Sequence, residues 1–81
     1  MLTLHQAAND LISRMISHND IVGNPLETDD KKCIIPVANF NFSEIILYTV
    51  EAVDDKLKIT EKEKVVEQQK IDNLTIRAFK P

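Results

Sequence analysis

The sequence holds a single glycine in 81 residues, and that scarcity excludes more chemistry than any residue present suggests. Loops that wrap phosphates need several glycines so that backbone N–H groups can approach the anion, and a nucleophile elbow needs glycine around its serine. Gly23 stands beside Asn24 and Pro25, which is a turn signal and fits neither motif. Cysteine is equally scarce. Cys33 has no second thiol in the chain, which excludes an intrachain disulfide and the paired cysteines of structural zinc sites and agrees with a reducing compartment. No apolar run approaches the ~20 residues that cross a bilayer. The longest is Ile45-Ile46-Leu47-Tyr48. The start of the chain lacks the basic region, apolar core and cleavage site of a secretory signal, so the chain reads as cytosolic. Aromatic residues are few (Phe40, Phe42, Tyr48, Phe79), and at strand positions they read as core, which leaves little for stacking on bases.

What remains is ordinary globular composition, 43% hydrophobic and 28% charged, too apolar for a disordered tail. Scaling relations put the folded surface at roughly 4,900 Å² against roughly 13,300 Å² unfolded, enough for one modest core. Residues 1–81 therefore form one small domain. A net charge of −3 opposes the counterion-release attraction that drives nucleic-acid binding, although a local basic strip stays possible.

The clearest periodicity comes first. Leu4, Ala7, Ala8, Leu11 and Met15, with Ile12 and Ile16 beside them, predict a one-faced helix over about 4–18. Thr3 and Gln6 have capping-box spacing, His18 in the last turn complements the helix dipole, and Gly23-Asn24-Pro25 marks the stop. Residues 26–32 are polar and acidic and read as a solvated loop.

Strand signals follow. Residues 33–38 form a short strand in which Pro36, lacking an N–H, points to an edge position. Asn39 to Ser43 closes a hairpin into a long strand over 44–53, apolar on both faces and expected at the centre of the sheet. Asp54-Asp55 turns the chain into Lys56-Leu57-Lys58-Ile59-Thr60, with Leu57 and Ile59 inward. Strict alternation past this point would bury Glu61 and Glu63, so the strand is expected to end near Thr60 or to bulge there. Residues 61–71 divide helix propensity against strand pattern. Val65, Val66 and Ile71 lie on no good helical stripe, which favours a strand over 65–71, a turn at Asp72-Asn73 and a last strand over 74–79. The expected fold is α+β: an N-terminal amphipathic helix packed on one face of a four- to five-stranded antiparallel meander, in two layers.

No constellation carries catalysis. Ser17 or Cys33, a histidine, and Asp10 or Asp20 supply the residue types of a triad without its spacing, and His18, Asp20 and Cys33 include no paired metal ligands. The chain reads as non-enzymatic, without metal or cofactor. Two surfaces suggest a protein partner. One is the edge of the last strand, where Thr75, Arg77 and Phe79 would present an open ladder to another chain or to a second copy in a homodimer. The other is an acidic surface made by Asp20, Glu27, Asp29 and Asp30, for which solubility alone is the competing explanation. An inhibitor, adaptor or accessory subunit is the expected role, and in compactness and acidity the chain is like small phage or mobile-element proteins that bind a host factor. The alternative is weak nucleic-acid binding through Lys56, Lys58, Lys62, Lys64 and Lys70, against which Glu61, Glu63 and Glu67 interleave the lysines.

Overall fold

A computed structural model describes residues 4–17, 19–28 and 31–79. Thr3 of the capping box, His18, Asp29 and Asp30 lie outside the described residues. The chain folds as helix α1 (Leu4–Ser13), strands β1 (Ile21–Val22), β2 (Glu27–Thr28), β3 (Lys32–Ala38), β4 (Ile45–Val53) and β5 (Lys56–Val65), then helix α2 (Gln68–Leu74). A wider π-helical turn, Thr75–Phe79, continues α2. The architecture is α+β, with the N-terminal helix lying on an antiparallel sheet as the periodicity predicts.

Helix α1 stops five residues short of the expected end. The N–H of Met15 donates to the Ile12 carbonyl at 2.9 Å, a three-residue spacing that tightens and ends the last turn. Beyond it, short polar side chains offer the backbone other partners. The Ser17 N–H donates to the Asp20 carboxylate at 3.2 Å, and the Asn19 N–H to the Ser17 hydroxyl at 3.3 Å. Met15, which a longer helix would have buried, is 54% exposed.

The pairing order is β1 and β2 together along one side of β3, then β4, then β5. On one face, Cys33, Ile35 and Val37 of β3 and Tyr48 and Val50 of β4 pack under Ala8 and Ile12 of α1, with Leu57 and Ile59 at the flank. The opposite face carries a second cluster, Ala38, Ile45 and Val65 beneath Ile71 and Leu74 of α2. Both faces of β4 are thus apolar because each is covered by a helix, at different ends.

Pro36 is buried inside the sheet and not at its edge, because its neighbour strand is interrupted opposite it. Val22 pairs with Val37 and Glu27 with Ile34, so four residues of one strand span two of the other. The missing N–H of Pro36 falls in that gap. Its carbonyl still accepts from the Gly23 N–H at 2.9 Å.

The C-terminal quarter differs most from expectation. No strand forms over 65–71 or 74–79; Val65 instead completes β5, and residues 68–79 are helical. The helical stripe is Ile71, Leu74 and Ala78, all buried, whereas Val66 is exposed. That stripe runs through Asp72-Asn73, which the sequence pattern reads as a turn and which the structure holds within α2.

The β4–β5 hairpin has the expected two-residue turn, with Asp54 (φ 51°) and Asp55 (φ 63°) both left-handed, the geometry of a type I′ connection. In the β3–β4 turn the left-handed residue is Phe42 (φ 55°), not an asparagine. Asn39 organises that turn through its side-chain oxygen, which accepts from the N–H groups of Ser43 (2.9 Å) and Glu44 (3.2 Å). Phe42 is held by an edge-to-face contact with Phe79, ring centroids 5.2 Å apart.

Candidate functional site

Strand β5 is paired with β4 along its whole length, and no described strand lies on its other side. Its pairing contains one irregularity. Val50 stands opposite Ile59 and Thr49 opposite Glu61, so Thr60 is an extra residue, a β-bulge. The bulge resolves the conflict seen in the sequence. Leu57 and Ile59 face α1, while Glu61 and Glu63 turn to the other face together with Val65, which reaches the α2 cluster.

The backbone groups left open on β5 follow from the same alternation. The Ala52 N–H donates to the Lys31 carbonyl at 2.8 Å, toward β3, so its neighbours Glu51 and Val53 direct theirs toward β5, onto Lys58 and Lys56. Leu57 and Ile59 therefore direct N–H and C=O outward. Beyond the bulge, Lys62 and Lys64 do so.

The opposite edge is closed by comparison. Between β1 and β2 the chain bulges, and the Asn24 N–H donates not to β3 but to the Ala78 carbonyl at 2.9 Å, tying this edge to the end of the C-terminal helix. A Cβ on Gly23 would lie 2.9 Å from the Phe79 ring and 3.1 Å from the Ala78 oxygen, so only glycine allows this approach.

The residues predicted to contact a partner are placed differently from expectation. Thr75, Arg77 and Phe79 lie on the π-helical turn and form no sheet edge. Thr75 donates to the Ile71 carbonyl at 2.8 Å, Phe79 packs on Phe42 and against Gly23, and only Arg77 is exposed. Asp20 accepts from Ser17 within its own turn and Glu27 lies in β2; Asp29 and Asp30, the rest of the expected acidic surface, lie outside the described residues.

The lysines are divided too. Lys56 and Lys58 share a sheet face with Glu61 and Glu63, whereas Lys62 and Lys64 lie on the α1 face. Lys62 sits 5.4 Å from the Tyr48 ring centroid and Lys64 pairs with Glu44 at 3.2 Å. Lys70 is on α2, 4.0 Å from Glu67. No continuous basic strip results.

The cavities among the described residues are shallow. A groove of about 290 Å³ runs between α2 and the sheet, lined by Leu47, Glu63, Val65, Lys70, Leu74 and Arg77, at the lower limit of the range for a small-molecule site. A hollow of about 120 Å³ over Ile34, Leu47, Thr49, Glu61 and Glu63 adjoins it. Among the described residues no three His, Cys, Asp or Glu side chains cluster as metal ligands, and no buried side-chain polar atom lacks a hydrogen bond. No described helix is long and apolar enough to cross a membrane. Cys33 is fully buried beneath α1.

No protein-family model, curated protein or solved structure matches the chain, so the reading of the site rests on its geometry. The open edge of β5 includes none of the residues expected from the sequence to contact a protein partner. The alternation conflict near Thr60 leaves the strand to end or to bulge there; the structure has the bulge, and β5 continues to Val65.

Proposed function

We propose that this chain is a small non-enzymatic module that works by protein–protein contact, with the outer edge of β5 as its contact strand. The observation that carries the reading is the asymmetry of the two sheet edges. One is broken opposite Pro36 and tied to Ala78, and the other offers outward backbone groups at Leu57, Ile59, Lys62 and Lys64. A ladder of unpaired N–H and C=O groups is a template for strand addition, in which main-chain hydrogen bonds supply affinity and alternate side chains supply specificity. An inhibitor, adaptor or accessory subunit acting in the cytosol fits these features, and the single buried cysteine suits that compartment.

The test removes hydrogen bonds without changing side chains. The full chain, assembled chemically by ligation at Cys33, is prepared with and without N-methyl groups on the outward amides of Ile59 and Lys62. Each form is tagged and used for affinity capture from lysate of the source cell, with nuclease treatment and at two salt concentrations. A stoichiometric protein, including the chain itself, that survives nuclease and moderate salt and is lost on N-methylation supports the reading. Capture that is unaffected by N-methylation, or that vanishes with nuclease, overturns it.

A further inference from the structure

We infer that the partner of this edge is a second copy of the chain, its β5 running antiparallel about a two-fold axis at the bulge; the inference rests on β5 being the contact strand. In a regular strand, outward-facing residues recur at every second position. On β5 they are Leu57 and Ile59, then Lys62 and Lys64, with a step of three across Thr60 and Glu61. A straight strand can match one half of this edge and then falls out of phase. A second copy carries the same step. With Ile59 opposite Lys62 of the second copy and Leu57 opposite its Lys64, both halves are in phase at once, and each facing pair can exchange two hydrogen bonds.

The same register decides the side-chain contacts. On the face shared with α2, Lys58 stands opposite Glu63 of the second copy, twice by symmetry, and Glu61 stands opposite Thr60. On the α1 face, Lys62 and Lys64 stand opposite Ile59 and Leu57. No two like charges are directly opposite, an arrangement that favours cross-strand pairing. Edge lysines ordinarily repel an approaching strand. Here Lys64 is drawn back onto Glu44 at 3.2 Å and Lys62 over Tyr48, so both ammonium groups sit over their own sheet.

Charge exchange on the full chain, read by sedimentation equilibrium, tests the register. The wild type is expected to be a dimer. Lys58→Glu and Glu63→Lys each turn two attractive contacts into repulsive ones, and each is expected to raise the dimer dissociation constant about tenfold. An equimolar mixture of the two variants restores opposite charge at both contacts and is expected to recover dimer mass, a rescue that misfolded variants do not give. Circular dichroism of each variant alone confirms the monomer fold. A wild type that stays monomeric at millimolar concentration, a dimer indifferent to both substitutions, or a mixture that fails to re-form the dimer overturns the proposal. If the wild type is monomeric yet still captures another protein through an edge sensitive to N-methylation, self-pairing fails and the contact-strand reading stands. If capture is insensitive to N-methylation as well, both fail.

Discussion

The hydroxyl of Thr60 donates to the carboxylate of Glu51 on the neighbouring strand, and Thr60 is the residue that β5 carries in excess over β4. That one extra residue reconciles two demands. It keeps Leu57 and Ile59 beneath α1 and still delivers Val65, six residues after Ile59, to the opposite face against α2. A strictly alternating strand would place Val65 on the same face as Ile59 and carry Glu61 and Glu63 with it into the α1 core.

Deleting Thr60 removes the bulge while leaving every following side chain on its present face, because the bulged residue is the one that breaks the alternation. The shortened chain is expected to fold, with stability within about 1 kcal/mol of the wild type by urea denaturation. Its outer edge, however, becomes an even ladder. In an equimolar mixture with wild type it is expected to be excluded from wild-type dimers, as native mass spectrometry of the two masses would record. Free exchange of subunits would mean that the bulge does not set the pairing.

Gly23 is the close-approach point between the broken edge and the C-terminal helix, with the Ala78 oxygen 3.1 Å from where a Cβ would stand. Gly23→Ala therefore pushes against backbone as well as against the ring of Phe79. The substitution is expected to destabilise the fold by about 1–3 kcal/mol, as overpacking typically does. Because the neighbouring Asn24 N–H donates to Ala78, its amide should lose protection in hydrogen exchange as the helix end is displaced. Unchanged stability would show that the two segments separate without cost.

The sequence made local grammar legible wherever one element decided the pattern. The face of α1, the long β4 and the Asp54-Asp55 turn each follow from their own residues, and the burial penalty for Glu61 and Glu63 predicts a strand that ends or bulges near Thr60, of which the structure has the bulge. Where the pattern depends on a neighbour, it was illegible. Pro36 argues for an edge only if the adjacent strand is continuous, and here that strand is broken opposite it. Val66 exposed and Ile71 buried make sense only once α2 has a sheet face to lie on. The candidate site moved for the same reason. With 74–79 helical, the open edge belongs to β5, whose outer side no local signal marks as unpaired.

The helical reading of the C-terminal quarter separates two residues that a strand would treat alike. In a strand over 74–79, Leu74 and Ile76 share one face. In the helix Leu74 is buried against Ile45 and Val65, and Ile76 is 62% exposed. Leu74→Ala is accordingly expected to cost about 2–4 kcal/mol, and Ile76→Ala less than about 0.5 kcal/mol. Equal losses in denaturant titrations would contradict the helix.

The tip of the β4–β5 hairpin stores a small strain that can be relieved without touching the proposed contact. Asp54 and Asp55 both adopt left-handed backbone, which costs a non-glycine residue roughly 1 kcal/mol, less for Asp and Asn, whose short polar side chains bond locally. Type I′ turns favour Asn-Gly at these two positions because glycine takes positive φ freely. Replacing the pair by Asp54→Asn with Asp55→Gly also removes two adjacent carboxylates from one turn. The double variant is expected to gain about 0.5–1 kcal/mol and to raise Tm by several degrees, given the roughly 4–8 °C per kcal/mol of domains this size. The turn lies beyond Lys56, outside the paired span Leu57 to Lys64, so the dimer dissociation constant should not move. A change in self-association that tracks the gain in stability would instead place the turn within the interface and shift the pairing register toward the hairpin tip.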